Sequence, residues 1–282
     1  MNRLSHPFSL SFSITKYSTI LLLAFLSFSV HAEPVELTGH LTQGGVLIGQ
    51  APPGSRVVWK GEALPISDEG KFVFGLAKDA SQTTVLAVTL PNGEDWETEI
   101  TPTVREFQVQ RIDGLEPAKV TPPPEVMERI VNDAHLARTA RQTISEHIGF
   151  DVPFIWPVKG RITGVYGAQR ILNGEPRAPH WGVDIAAPTG TPVLAPAAGK
   201  IALVHKDMYF SGGTLFVDHG HGLMSAFLHL DQIDVVPGQW VDQGEPIATV
   251  GSTGRSTGPH LDWRVSWRDV RVDAQLLVQE AE

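Results

Sequence analysis

Apolar residues along this chain fall into successive patterns that predict different elements. From Glu33 to about Arg111, short apolar runs alternate with turn signals: Val46-Leu47-Ile48, Arg56-Val57-Val58-Trp59, Lys71-Phe72-Val73-Phe74, Thr84-Val85-Leu86-Ala87-Val88 and Phe107-Gln108-Val109, with Pro52-Pro53-Gly54 between the first two. Runs of this length and spacing predict a small antiparallel β-sandwich over residues 33–112. This stretch gathers no chemically active side chains, so it reads as a packing or positioning module, with wall binding as the alternative.

Thr121-Pro122-Pro123-Pro124 breaks the strand pattern and can open a helix, because proline suits a first turn where its missing donor costs nothing. Val126, Ile130, Ala134 and Ala137 then recur at helical spacing. A Pro-rich linker and an amphipathic helix over 124–147, ending near Gly149, are expected within residues 113–150. His135 and His147 on that helix read as solvated or packed residues. From Phe154 onward strand-sized runs return among many glycines and prolines: Val193-Leu194-Ala195, Lys200 to Val204, Thr214 to Val217, Ser225 to Leu228, Pro246 to Val250 and Leu261 to Val265. The fold class expected is all-β: a small N-terminal β-sandwich, a linking α-helix, and an antiparallel β domain over 151–282.

Ahead of all this, Arg3 and Lys16 precede or flank an apolar run from Ser18 to Val30, and Val30-His31-Ala32 supplies small residues at a cleavage site. Residues 1–32 therefore read as a signal peptide cleaved near Ala32, giving an exported protein of the periplasm or cell envelope. The apolar run is shorter than the ~20 residues of a membrane-spanning helix. Loss of Arg3 and Lys16 takes the formal charge from −9 to −11, and an acidic chain argues against a nucleic-acid partner. With no cysteine, an exported fold forms without disulfides, and any metal must be held by nitrogen and oxygen.

His180-Trp-Gly-Val-Asp184, Phe227-Leu228-His229-Leu230 and His260-Leu261-Asp262 concentrate metal-ligand chemistry in the C-terminal region. Pro179, Gly182 and Pro188 keep the first motif off a regular helix. In an extended strand, residues four apart share a face but lie ~13 Å apart. The segment must therefore bend for His180 and Asp184 to share an ion, and Gly182 is placed to allow it. His260 and Asp262, two apart, share a strand face at ~7 Å. Gly251-Ser-Thr-Gly254 and Ser256-Thr-Gly-Pro259 form a small-residue approach to them. His219 and His221 sit in a tight turn and read as turn-stabilising, with a contact behind the metal ligands as the alternative.

The region from about Trp156 to Val272 resembles the lysostaphin and LytM-type zinc endopeptidases, which cut peptidoglycan cross-links. The matching stretches are His180-Trp-Gly-Val-Asp184-Ile-Ala-Ala-Pro188, Thr191-Pro-Val-Leu-Ala-Pro196-Ala-Ala-Gly199, Val217-Asp-His-Gly-His-Gly222, Phe227-Leu-His-Leu230 and Val250-Gly-Ser-Thr-Gly-Arg-Ser-Thr-Gly-Pro-His-Leu261. The resemblance implies a LytM/lysostaphin-like domain with an open metal cleft, one Zn2+ per chain, and peptidoglycan peptide stems as partners. It makes His180 and Asp184 metal ligands and position 262 the third, with His260 and His229 flanking a metal-bound water.

Position 262 departs from the pattern, being aspartate where the family has histidine. Carboxylate oxygen is an acceptable zinc ligand at ~2.0–2.2 Å, so a His180, Asp184, Asp262 set remains chemically reasonable. Two carboxylates would cancel the ion's formal charge, weakening its polarisation of water and admitting harder ions such as Mn2+. His260 is expected as the general base, with His229 steadying the oxyanion or protonating the leaving amine; sequence does not divide those roles. Arg170, in the turn-rich segment before His180, is the candidate contact for a substrate carboxylate.

Two functions of different class follow. One is an exported metal-dependent endopeptidase acting on peptidoglycan cross-links. The other is a catalytically inactive LytM-like regulator or activator of another cell-wall hydrolase, which Asp262 favours and the retained His180, Asp184, His229 and His260 disfavour. A wall-binding module with a structural metal is a third reading. The N-terminal module and helix could also cover the cleft, so that deleting residues 33–150 would raise activity.

Overall fold

A computed structural model describes residues 33–279; the signal peptide expected over 1–32 lies outside the described residues. Near the N-terminus, one antiparallel sheet orders the strands Glu36–Gly39, Val46–Gln50 and Lys71–Gly75. A second orders Glu62–Ala63, Arg56–Trp59, Thr84–Thr89 and Asp95–Ile100. Val57, Phe72, Phe74 and Leu86 are buried, and the rings of Trp59 and Phe74, one from each sheet, stand 4.6 Å apart.

This N-terminal part shares a core with the C-terminal sheet. A Cβ on Gly75 would meet Trp267 and Val272 at 3.0 and 2.9 Å, which leaves room only for glycine where the two parts press together. Arg105 adds an ion pair to the buried Asp273 at 2.8 Å.

The connecting stretch differs from expectation. In place of one helix over 124–147, a short helix Pro117–Val120 and a 3-10 turn Pro124–Val126 precede an α-helix, Met127–Arg141. Ala140 is its one buried residue, Ile130 and Ala137 are half-buried, and Ala134 is exposed. The helix stops early because the residues beyond it bond elsewhere: Ser145 Oγ donates to Asp218 at 2.7 Å, His147 Nε2 meets the Asp218 carbonyl at 2.8 Å, and Ser145 O accepts from His221 N. Upstream of these helices, Val109–Ile112 pairs in parallel with Gln169–Leu172.

The large sheet runs in the order Trp240–Val241, Gly199–Met208, Gly212–Gly220, Leu223–Ile233, His260–Trp267, Val183–Ala186, Arg161–Gly164, with every neighbouring pair antiparallel. The all-β architecture with a linking helix stands as expected. Strand alternation divides His260–Trp267 into two faces. Leu261, Trp263 and Val265 are fully buried in the main core, while His260, Asp262 and Arg264 occupy the opposite face. On the neighbouring strand Ala226 and Leu228 lie across from Arg264 and Asp262, on that same outer face, and pack with Ala140 of the helix.

Candidate metal centre and its histidines

Register places the two acidic residues together. Asp184 and Asp262 are directly paired across adjacent antiparallel strands, so their side chains leave the sheet on one face. His180 precedes the strand Val183–Ala186, and its backbone is held by a turn: its N–H donates to Ala168 O and its carbonyl accepts from Gly167 N, each at 2.8 Å. From there Nε2 comes 3.1 Å from Asp184 Oδ1 and 3.4 Å from Asp262 Oδ1. Gly182 lies at a bend, as expected, and reaches it without a positive φ. A Cβ there would lie 2.5 Å from Trp263 O and 2.6 Å from Asp262 Oδ1, so glycine is required by close packing behind the site.

These three side chains fit a divalent cation. One donor atom from each lies within 4.8 Å of the others, and all three residues are buried. Ligands ~2.0–2.1 Å from a tetrahedral ion stand roughly 3.3 Å from one another, which matches both separations from His180. Nε2 and Nδ1 of His180 and Oδ1 of Asp184 are buried without a hydrogen-bond partner. The His180–Asp184 approach is short but misaligned for a hydrogen bond, and buried polar atoms left in this way need an explanation that an ion would supply.

Both carboxylates have a guanidinium partner. Arg170 Nη2 reaches Asp184 Oδ2 at 2.5 Å, and Arg264 grips Asp262 through Nε, 3.1 Å from each oxygen, and Nη2, 2.6 Å from Oδ2. This corrects the expectation that the two aspartates would cancel an ion's charge, because Arg170 and Arg264 already neutralise them. A cation binding here would share Asp262 Oδ1 with Arg264, using its second lone pair. Burial alone would raise the Asp262 carboxyl, yet Arg264 and His180 hold it well below the usual carboxylate range. Asp184 is likewise lowered, burial and Asp262 being outweighed by His180 and Arg170. Burial lowers the His180 imidazole, but Asp262 and Asp184 win and its pKa is raised.

His229 and His260 stand beside this cluster with ring centres 4.8 Å apart. His260 shares the face of Asp262, and its Nε2 is 3.9 Å from Asp184 Oδ1. Alternation alone would turn His229 away, since Leu228 is the residue paired with Asp262. A left-handed φ of 63° at His229 re-aims it, a strained conformation of the kind kept at functional sites. His229 Nδ1 lies 2.7 Å from Thr253 O, and His260 Nδ1 lies 2.8 Å from Gly258 O. A carbonyl can only accept, so both imidazoles donate from Nδ1, which leaves Nε2 as the nitrogen available to a substrate or water. Burial keeps His229 neutral by lowering its pKa to about 4.

A cavity of about 250 Å³ borders Asp184, His229 and His260. Gln110 and Ile112 of the strand Val109–Ile112, and Leu115 just beyond it, also line it. Gln110 Oε1 accepts from Arg170 Nε at 3.3 Å, so Arg170, the expected substrate contact, is braced between Gln110 and Asp184. His219 lies in the core, its Nδ1 donating to Ala198 O and its Nε2 accepting from Ser225 Oγ. Sequence reasoning missed Arg264, Gln110 and the carbonyls of Thr253 and Gly258; only the alternation of His260–Trp267, which puts Arg264 on the face of Asp262, signalled any of them.

An antiparallel β domain that sets a His, Asp, Asp cluster beside two imidazoles on one sheet face has the layout of a hydrolytic site. The pattern of Peptidase family M23 matches residues 178–274. A solved M23 peptidase structure from Pseudomonas aeruginosa superposes with a TM-score of 0.64 at 30% identity, covering 84% of this chain and 94% of that one. The chain belongs to peptidase family M23. Among curated relatives, the peptidoglycan DD-endopeptidase ShyB of Vibrio cholerae is 37% identical over 148 residues, covering 52% of this chain and 30% of the relative. The cell division protein DipM of Caulobacter vibrioides is 34% identical over 148 residues, covering 52% of this chain and 23% of the relative. This chain thus spans less than a third of either relative.

Proposed function

We propose that this chain is an exported, metal-dependent endopeptidase that hydrolyses peptide cross-links of peptidoglycan. The observation carrying this reading is the convergence of unpartnered buried donors on His180 and Asp184 with Asp262, beside two imidazoles held through Nδ1 by backbone carbonyls. His180, Asp184 and Asp262 would hold one ion, Zn2+ by ligand chemistry and family, with Mn2+ admitted by the oxygen-rich set. When bound, such an ion supplies Lewis-acid polarisation of the scissile carbonyl and acidifies a water. His260, 18% exposed at the cavity wall, takes the proton of the attacking water on Nε2 as the carbon–oxygen bond forms. His229 cannot donate to an oxyanion while neutral. The second proton of the attacking water, passed to His229 as the tetrahedral intermediate collapses, would be weakly held there and suit delivery to the departing amine as the carbon–nitrogen bond breaks.

The relative ShyB, a peptidoglycan DD-endopeptidase, supports peptidoglycan as substrate, and residues 1–32 support export to the periplasm or envelope. The test is metal content of the purified chain beside chromatography of fragments released from purified sacculi. One Zn2+ or Mn2+ per chain, with release abolished by chelation, is expected.

The grip of Arg264 on Asp262 favours a second reading, an inactive regulator of a separate wall hydrolase, because a guanidinium there already satisfies the third ligand's charge. A chain that takes up no divalent ion, releases no fragments, and raises the activity of another wall hydrolase would establish that reading in place of the first.

A further inference from the structure

On the outer face of the sheet, beyond Arg264, the helix Met127–Arg141 roofs a second cavity of about 420 Å³. Six arginines line it: Arg138, Arg141, Arg170, Arg255, Arg264 and Arg271. They come from the helix, one loop and three strands, separate stretches of sequence brought to one place by the fold. Two are spoken for, since Arg170 pairs with Asp184 and Arg264 with Asp262. Among the described residues, the other four make no ion pair with a carboxylate within 4.0 Å.

The acidic groups facing the cluster are too few to balance it. Asp133 lines the cavity but accepts from Tyr209 N at 2.7 Å, and Asp269 acts on Arg141 and Arg271 from outside. With Asp184 and Asp262 that makes four carboxylates against six guanidiniums. The strain shows in the arginines themselves. Burial and then Arg170, Arg264 and Arg177 lower Arg255 to about 10, while burial and then Arg141 and Arg264 lower Arg271 to about 9. Half-buried like charges left without counter-charge are costly unless a ligand supplies it.

Ile130, Phe210, Phe216 and Leu228 give the rest of the wall an apolar portion, beside Ser211 and Thr214. An occupant should therefore combine about two negative charges with an aliphatic body. Arg170, Arg255 and His229 border both this cavity and the one beside the candidate metal ligands, so the two spaces adjoin.

We propose that the arginine-lined cavity is a subsite for free carboxylates of the peptide substrate, gripping an acidic residue or chain end near the bond placed at His260 and His229. The inference rests on the peptidase reading for the identity of the peptide, and on the cavity alone for the class of ligand. Guanidiniums recognise carboxylate bidentately, and the apolar portion of the wall accommodates the aliphatic stem.

The test is equilibrium binding by calorimetry, at several salt concentrations, of the full chain to a soluble monomeric stem peptide, which offers no cross-link to cut. The same peptide with its carboxylates amidated, and inorganic phosphate, form the other arms. The acid peptide should bind at least tenfold tighter than its amide. Arg141→Gln/Arg271→Gln should erase that preference without changing the amide's affinity, and Arg138→Gln, exposed on the helix, should weaken the acid peptide a few-fold with an unchanged melting temperature. Equal binding of acid and amide by the wild type, or an unaltered preference in both variants, would overturn the subsite. Phosphate binding as tight as the acid peptide's would overturn it in favour of a free-anion site. Carboxylate-dependent binding by a chain that never cleaves sacculi would leave the subsite standing and remove the peptidase reading instead.

Discussion

Arg264 holds Asp262 by three contacts of 2.6 to 3.1 Å, from a position two residues further along the same strand face. The pair explains how an aspartate survives fully buried where the family pattern has an imidazole. Removing the guanidinium leaves a buried, uncompensated carboxylate, a loss of about 3 kcal/mol. Arg264→Met should therefore melt markedly lower than wild type in chelator. An ion binding His180, Asp184 and Asp262 would take over the compensation, and at a thousandfold excess over its Kd contributes about 4 kcal/mol. Thermal melts with and without Zn2+ should show a larger metal-induced rise for Arg264→Met than for wild type, and an equal rise would argue that the ion and the guanidinium do not compete for Asp262.

The same relationship predicts coupling between positions 262 and 264. Restoring histidine alone, by Asp262→His, sets an imidazole against an orphaned half-buried guanidinium and should not tighten metal binding. The double variant Asp262→His/Arg264→Met removes that conflict and should bind metal at least tenfold more tightly than either single variant. Contacting residues are expected to be non-additive by about 1 kcal/mol or more. Calorimetric Zn2+ titration of the four proteins closes the cycle, and additive effects would show that the two substitutions are independent.

Much of the layout was legible in the sequence because strands announce themselves by alternation. Val183 to Ala186 and Leu261 to Val265 read as strands, and two residues apart on a strand put His260 and Asp262 on one face. The connecting helix is shorter than its apolar spacing predicts because Ser145 and His147 bond instead to Asp218 and His221, more than seventy residues away. Gly182 bends as its position suggests, and the close packing that also demands glycine there has no local signature. Other features had no local signature. The left-handed backbone of His229 is a property of the bulged strand, the acceptors for both imidazoles are main-chain carbonyls, and the arginines of the second cavity lie far apart in sequence.

The N-terminal part bears on stability more directly than on access. Gly75 presses on Trp267 and Val272, and Arg105 neutralises the buried Asp273. Deleting residues 33–150 should therefore expose core surface and yield an aggregating protein with no gain in turnover. Size-exclusion chromatography beside a sacculus assay would check this; a monomeric truncated chain with raised activity would support a covering role for that part.

Loss of either flanking imidazole should separate chemistry from metal binding. His260→Ala and His229→Ala leave His180, Asp184 and Asp262 in place, so both should retain the ion. Turnover should fall by roughly 10²- to 10⁴-fold in each, the usual contribution of a positioned acid or base. Metal analysis paired with initial rates distinguishes the cases. A His260→Ala protein that keeps both its ion and its rate would assign the metal a purely structural task.

The acid stability of the fold should be governed in part by His219, which is remote from the metal ligands. Burial drives its imidazole down from 6.5 to about 4, and the ring is fixed in the neutral form between Ala198 O and Ser225 Oγ, which also accepts from Trp263 Nε1. The depressed value means that the unfolded chain binds this proton first. The contribution is complete above pH 6.5 and is lost as pH falls from there toward 4. His229 titrates in the same window and direction. Each proton adds about 1.4 kcal/mol per pH unit at most to the slope of the unfolding free energy. His219→Gln keeps a donor and an acceptor but cannot titrate. Urea unfolding in chelator between pH 7 and 4 should therefore show a shallower acid limb, reduced by up to one proton, whatever its stability at neutral pH. An acid limb as steep as wild type would mean that His219 keeps the same affinity for its proton in both states.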